Sequence, residues 1–395
     1  MDLTFKFASI PHIIFGASKL NELYNIIPKF GKNVLYVIGG KSLKESGKWD
    51  EIVNAMEKKS VNISIISVYG EPTPTLIDEA VAKYKSRNID LVVGIGGGSV
   101  TDAGKAISAM ILKKDSIRNY LEGIGNKIHD GKKIPYIAVP TTSGTGSEAT
   151  KNAVISEVGP EGFKKSLRHD NLIPNYAIVD PELVLSSPPS VSAACGMDAF
   201  TQLLEAYVSP RTSPITDALA FTGMRYVKDA IIPACSTHAL DIGVRSAMAY
   251  GSLISGIALA NAGLGIVHGL ASSLGGLFEI PHGVACGTLL AESTKINITQ
   301  LQKSGDAGKK GLLKYAMVGA LLAGKEGYEN VDVSYHCSIL IETLEKWTID
   351  LNIDRLGRYG ITIKEVDKIV EKAGLKNNPV QLRREDIMEI VRNRI

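Results

Sequence analysis

Residues Ile89–Lys105 read IDLVVGIGGGSVTDAGK. A continuous apolar run ends in glycines, and a helical pattern follows at once. A strand that is apolar on both faces belongs to a parallel sheet covered by helices on both sides. Glycines at its end let the backbone approach an anion, and the helix behind them offers free N–H groups and a positive dipole end. A tight strand–helix turn without a ligand accounts for the same glycines, and Asp102 reads equally as a partner of the helix dipole. The spacing is not GxGxxG, so the ordinary dinucleotide fingerprint does not apply.

Working outward, the same alternation continues on both sides. Strands are expected at Asn33–Gly39 (NVLYVIG), Val61–Tyr69 (VNISIISVY), Lys133–Val139 (KIPYIAV) and Ala177–Val179. Helices are expected over Asp50–Lys58, Pro74–Asn88 and Val100–Met110. This βαβα order specifies an α/β domain with a parallel sheet. After Pro181 the strand signals stop. Helical patterns cover Ser190–Tyr207, Ile215–Ile231, Ile242–Ala262, Leu312–Leu322, Val333–Leu351, Ile363–Ala373 and Glu385–Asn393. The boundary falls in DPELVLS (180–186), giving an α/β domain over 1–183 and an all-helical one over 184–395.

Composition excludes other classes. The chain has 395 residues, 44 basic and 41 acidic, for a net charge of +3. The charges are spread evenly, which is no nucleic-acid footprint. Cys195, Cys235, Cys286 and Cys337 form no CxxC pair and read as buried thiols of a reducing compartment. Asp2, Lys6 and His12 interrupt the first apolar stretch, so no signal peptide is expected. Ser246–Phe278 contains no Asp, Glu, Lys or Arg and is long enough to span a bilayer. Its Asn261, His268, glycines and serines point instead to a buried pair of core helices, and no membrane association is expected.

Two further constellations carry chemistry. Pro140–Glu148 (PTTSGTGSE) follows another buried strand, and its hydroxyls and glycines suit a second phosphate or ribose cradle at the carboxyl end of a parallel sheet. A capped loop is the plainer alternative. In the helical half, Asp198 and Gln202 are four apart and share a helix face. His268 lies in the uncharged segment, and His282 sits between Pro281 and Gly283. Each has an ordinary explanation, Asp198 as a cap and each His as a core imidazole. Together, two imidazoles and a carboxylate are also a ligand set for a divalent metal with open positions.

These motifs, in this order, resemble the iron-containing (group III) alcohol dehydrogenase family. The resemblance runs through PHIIFGASKL (11–20), GGGSVTDAGK (96–105), PTTSGTGSE (140–148), IVDPEL (178–183), CGMDAF (195–200), VHGLA (267–271), PHGVA (281–285) and LKNNP to EDIMEIV (375–391). It implies a dinucleotide-binding α/β domain with an all-α C-terminal domain, the architecture shared with dehydroquinate synthase. It also implies an NAD(P)-linked, metal-dependent alcohol dehydrogenase or aldehyde reductase, with hydride passing between nicotinamide C4 and an alcohol or aldehyde held by the metal. Carried over by position, Gly96, Gly97, Gly98 and Ser99 hold the pyrophosphate. Thr141, Thr142 and Ser147 contact phosphate, ribose or nicotinamide, and Asp102 and one of Lys164 or Lys165 lie near the cofactor. Asp198, His268 and His282 match the metal ligands, the ion being Fe2+ or Zn2+. Membership further implies a cytoplasmic homodimer or larger homo-oligomer acting on a small alcohol or aldehyde.

Two positions depart from the family pattern. The usual fourth ligand, a histidine four residues after the aspartate, is Gln202, a weaker neutral oxygen donor. A histidine that many members carry four residues after the first ligating His is Ser272, which passes a proton only through a hydroxyl–water chain. Cofactor choice follows from the second strand's end, Ile38-Gly39-Gly40-Lys41-Ser42. An acid there binds a ribose 2′-OH and repels a 2′-phosphate. Gly39, Lys41 and Ser42 supply no acid, so NADP is favoured over NAD. The alternatives are a dehydroquinate synthase-like lyase, gripping an anion with Arg211, Arg225 or Arg245, and a nucleotide-binding relative without metal.

Overall fold

The apolar runs of the first half assemble into one sheet. The structure, a computed structural model, describes residues 4–325 and 331–395. Its strands are β1 (His12–Phe15), β2 (Asn33–Ile38), β3 (Asn62–Ser67), β4 (Leu91–Gly96), β5 (Tyr136–Pro140), β6 (Asn152–Glu157), β7 (Phe163–Arg168) and β8 (Tyr176–Val179). Six of them form a sheet in the order β1-β8-β5-β4-β2-β3, with every neighbouring pair parallel. β6 and β7 form a separate two-stranded sheet. Sequence reading found β2, β3, β4, β5 and β8 and missed β1, β6 and β7.

Both faces of the sheet are covered, as the apolar runs require. On one face Val34, Tyr36, Ile38, Val93, Ile95, Ile137 and Val139 pack with Leu23, Ile27, Trp49, Ile52 and Met56. The other face lies under the helix Gly98–Met110, and glycines set how closely. A Cβ on Gly94 would stand 2.3 Å from the Tyr136 hydroxyl, and one on Gly104 would stand 2.7 Å from the same ring. Tyr136 thus lies flat between strand and helix and donates to the Thr101 carbonyl at 2.9 Å. The expected helix Pro74–Asn88 is α-helical over Pro74–Tyr84. Thr73 accepts from Leu76 N at its start, and Asn88, at φ 48°, ends the following turn.

The order in which strands are added reverses between β3 and β4. From β2 the chain steps outward to β3, then returns to β4 on the other side of β2 and continues to β5. Loops at the carboxyl ends of β2 and β4 therefore leave in opposite directions, which opens a crevice between them. Residues 39–42 follow β2, and residues 97–99 follow β4.

The described residues form two compact units, 8–157 with 164–186, and 187–325 and 331–395 with 158–163 and 4–7. Among the described residues the second unit holds the long helices Pro189–Val208, Pro214–Ala230, Ile242–Ala262, Ile266–Leu277, His282–Lys303, Lys309–Leu322 and Val333–Asp350. Short polar caps start several of them. Ser213 accepts from Thr216 N, Asp241 from Gly243 N and Val244 N, and Asp332 from Tyr335 N. The uncharged segment is a buried helix pair, as expected. Ile242–Ala262 is long and apolar enough to cross a membrane by composition alone, yet Met248, Leu253, Ile254 and Ile257 are buried within its unit. The helix starting at His282 was not foreseen.

Candidate active site

Four helix positions converge on one point. Asp198 lies mid-way along Pro189–Val208, His268 in the first turn of Ile266–Leu277, and His282 at the start of His282–Lys303. Cys286 lies one turn beyond His282 and faces the same way. One donor atom from each of Asp198, His268, His282 and Cys286 lies within 4.8 Å of all the others. His268 Nε2 is 3.3 Å from Asp198 Oδ1, and His282 Nε2 is 3.9 Å from that same oxygen. Cys286 Sγ is 3.6 Å from His268 Nε2 and 3.7 Å from His282 Nε2. Asp198, His268 and Cys286 are buried, and His282 is partly exposed.

Glycines bring these helices together. A Cβ on Gly283 would stand 2.4 Å from the Ala194 carbonyl oxygen, and one on Gly287 2.9 Å from Met197 Cβ. Glu205, seven residues after Asp198, orients the imidazole. Its Oε1 accepts from Val267 N and its Oε2 meets His268 Nδ1, both at 2.7 Å. That contact makes Nδ1 the donor and leaves Nε2 for a metal. Sequence reasoning missed Glu205 and Cys286. Polar residues at 198, 202 and 205 on an apolar helix, and Cys286 four after His282, were the available signals.

Burial pushes the Asp198 carboxyl up, but His282, His268 and the Gln202 amide outweigh it and hold it at about 2. Burial lowers His268, yet Cys286, Asp198 and Glu205 carry it well above the usual imidazole range. Buried carboxylates around an imidazole call for positive charge, which a dication supplies in place of a proton. Burial also pushes the Cys286 thiol up to about 11. Gln202 is buried, its carbonyl accepting from Ser255 at 3.0 Å while its amide serves Asp198. In this orientation it turns N–H groups, not its oxygen, toward the donor cluster. Ser272 donates back to the His268 carbonyl at 2.7 Å and accepts from Lys376 at 3.3 Å.

In the α/β unit the two glycine–hydroxyl motifs lie side by side. β4 and β5 pair Gly96 with Pro140, and Thr141 N donates to Gly96 O at 2.9 Å. A Cβ on Gly97 would stand 3.2 Å from Thr142 Cγ2, and one on Gly98 2.7 Å from Thr145 Cγ2. Among the described residues the shielded Ser143 hydroxyl has no hydrogen-bond partner. A backbone cradle with an orphaned hydroxyl fits a phosphate group. Gly39 abuts Val100 of the neighbouring helix, while Lys41 and Ser42 are exposed. Asp102 is turned inward, its Oδ1 accepting from Ser147 Oγ at 2.5 Å and its Oδ2 from Val154 N at 3.1 Å. Buried Lys105 ties the same loop, donating to Ser147 O, Thr150 Oγ1 and Asn152 O at 2.7–2.9 Å. Lys164 pairs with Glu71 at 3.0 Å.

Residues 11–181 match the iron-containing alcohol dehydrogenase family, and residues 192–395 match the C-terminal region of the same family. This chain belongs to that family. It is accordingly an oxidoreductase, an NAD(P)-linked alcohol dehydrogenase. It is 33% identical to long-chain-alcohol dehydrogenase 1 of Geobacillus thermodenitrificans, the match covering 97% of this chain and 94% of the relative. It is 29% identical to the NADPH-dependent butanol dehydrogenase of Clostridium saccharobutylicum, covering 96% and 95%. The structure superposes on the alcohol dehydrogenase of an archaeal halo-thermophile from a Red Sea brine pool with a TM-score of 0.88. That match is at 25% identity and covers 100% of both chains. For the lyase alternative, the buried Arg245 already donates to Ala239 O, Ser192 Oγ and Ser187 O.

Proposed function

We propose that this alcohol dehydrogenase works through a divalent metal held by Asp198, His268 and His282, and reduces small aldehydes with NADPH or oxidises the matching alcohols. The convergence of those three side chains carries the reading. When bound, the metal supplies Lewis-acid polarisation of the substrate oxygen, and the nicotinamide takes up or delivers the hydride. The chain's own part is orientation and charge. Glu205 fixes the His268 tautomer, and Gln202 donates to Asp198 and keeps its carboxylate aimed. The loops at 96–99 and 141–147 form the nucleotide cradle. Asp102 and Ser147 act there by bonding each other and fixing loop to helix, and Lys164 lies near the same cofactor site. Ser272 is the hydroxyl available for a proton relay.

Preference for NADPH rests on Gly39, Lys41 and Ser42 at the end of β2, where no acid meets a 2′-phosphate. Cytoplasmic location and assembly into a homodimer or larger belong to the same proposal. The test is oxidation of NADPH by a panel of short aldehydes. The protein is stripped of metal and then reloaded separately with ferrous iron and zinc. Turnover that returns only with metal supports the reading. Turnover indifferent to metal overturns it, and NADH bound tenfold more tightly than NADPH overturns the nucleotide preference.

A further inference from the structure

Gln202 spends its side-chain oxygen on the Ser255 hydroxyl at 3.0 Å, so the ligand set needs a fourth donor from elsewhere. The Cys286 sulfur lies within the donor cluster, 3.6 Å from His268 Nε2 and 3.7 Å from His282 Nε2. We propose that Cys286, as thiolate, is the fourth metal donor, and that the resulting O, N, N, S set selects zinc over ferrous iron. This rests on the metal-dependent reading above and deepens it.

Three observations carry it. The first is shape. Oxygen and nitrogen donors at about 2.0–2.1 Å and sulfur at about 2.3 Å around a tetrahedral ion give N–O edges of about 3.4 Å and N–S edges of about 3.6 Å. The N–O edges here are 3.3 and 3.9 Å, and the N–S edges are 3.6 and 3.7 Å. The second is satisfiability. A thiol is both a weak donor and a weak acceptor, so it serves two imidazole nitrogens poorly. A cation among the donors satisfies both contacts, while an inert core thiol packs against carbon. The third is softness. Thiolate with imidazole suits zinc, whereas oxygen-rich sets suit harder ions. On binding, the thiol gives its proton to solvent and the S–metal bond forms in its place.

The experiment is cobalt(II) loading of the metal-stripped full-length protein, followed by absorption. Wild type is expected to take up one equivalent and show a near-ultraviolet thiolate-to-cobalt charge-transfer band. Cys286→Ser loses that band and weakens zinc affinity by at least about tenfold, the floor set by losing even a supporting partner of a ligand. The double variant Cys286→Ser with Gln202→His regains affinity without the band, which separates loss of a ligand from damage to the fold. Cobalt bound without a sulfur band, or a band that persists in Cys286→Ser, overturns the assignment of Cys286 and leaves the metal-dependent reading standing. Binding of no cobalt and no zinc overturns both. A zinc affinity no greater than that for ferrous iron overturns the selectivity.

Discussion

Replacing Glu205 with glutamine tests how the site is held. Glu205 accepts two bonds of 2.7 Å, from Val267 N and His268 Nδ1. Glutamine keeps the shape but has one carbonyl oxygen, so with that oxygen on Val267 N its amide N–H faces Nδ1 and drives the imidazole proton to Nε2, the nitrogen a metal needs. A hydrogen bond to a charged group contributes about 1.5–3 kcal/mol net, and a buried donor left unpaired costs about 1–3 kcal/mol. The second consequence falls on the metal. His268 Nε2 is fixed only while Nδ1 is held, and removing such a partner typically lowers metal affinity about 10–100-fold. We expect Glu205→Gln to lower zinc affinity by that factor, read by competition with a chromophoric chelator. The thermal midpoint of the metal-stripped protein should fall by several degrees, taking roughly 2–4 °C per kcal/mol for a unit of this size. Wild-type affinity in the glutamine variant would refute the reasoning, because His268 would then be oriented by something else.

Other outcomes follow from the same structure. Gly269→Ala drives a methyl to 1.9 Å from the Gly374 carbonyl oxygen, so the helix bearing His268 must shift; a loss of about 1–3 kcal/mol is expected in urea unfolding, while Gly374→Ala, with open space around it, stays within about 0.5 kcal/mol. Burial raises Glu148 from 4.5 to about 7, so stability present below pH 4.5 is lost as pH rises through about 7. Glu148→Gln should therefore gain about 2–3 kcal/mol relative to wild type between pH 5 and pH 7.5, read by urea unfolding at each pH. That window stays below the region where the pKa of Lys105, lowered by burial to about 8, brings an opposite trend. Lys41→Asp should weaken NADPH binding at least about tenfold and leave NADH within a few-fold, read by cofactor fluorescence.

Most of the sheet was legible because β2, β4 and β5 are apolar on both faces and end in glycine or proline. β1 is four residues long, too short for any period to register. β7 reads FKKSLR, and its adjacent lysines break the alternation that marks a strand. The helix His282–Lys303 was hidden by Gly283 and Gly287, which argue against helix on propensity. Tertiary contact overrides that argument, because both glycines lie where the helix crosses Pro189–Val208. Missing this helix also concealed Cys286. Its spacing from His282 means nothing until the two are known to share a helix. Asp198, His268 and His282 were readable as residue types that a metal favours. Their convergence rests on three separate helices and was supplied by the resemblance alone.

The glycines and the ligands divide the work of the site. Helix axes normally pack about 8–10 Å apart, and an aspartate side chain is short. For Asp198 and two imidazoles to reach one ion, the backbones must come closer than bulky residues allow. Gly283 against the Ala194 carbonyl, Gly287 against Met197 and Gly269 against the Gly374 carbonyl supply that approach. Two of the three meet a backbone carbonyl, and the third meets the Met197 side chain at its Cβ. Residues 202, 272 and 286 only project from the frame and can change without moving it. That is how the chain can lose an imidazole at 202 and still keep four donors in reach. The two groups should therefore fail differently. Substituting alanine at Gly283 should weaken zinc, cobalt and ferrous iron by similar factors, because the frame itself is spread. Substituting Cys286 or Gln202 should change the ratio of those affinities. A Gly283→Ala protein that discriminates among metals differently from wild type would show that frame and ligands are not separable in this way.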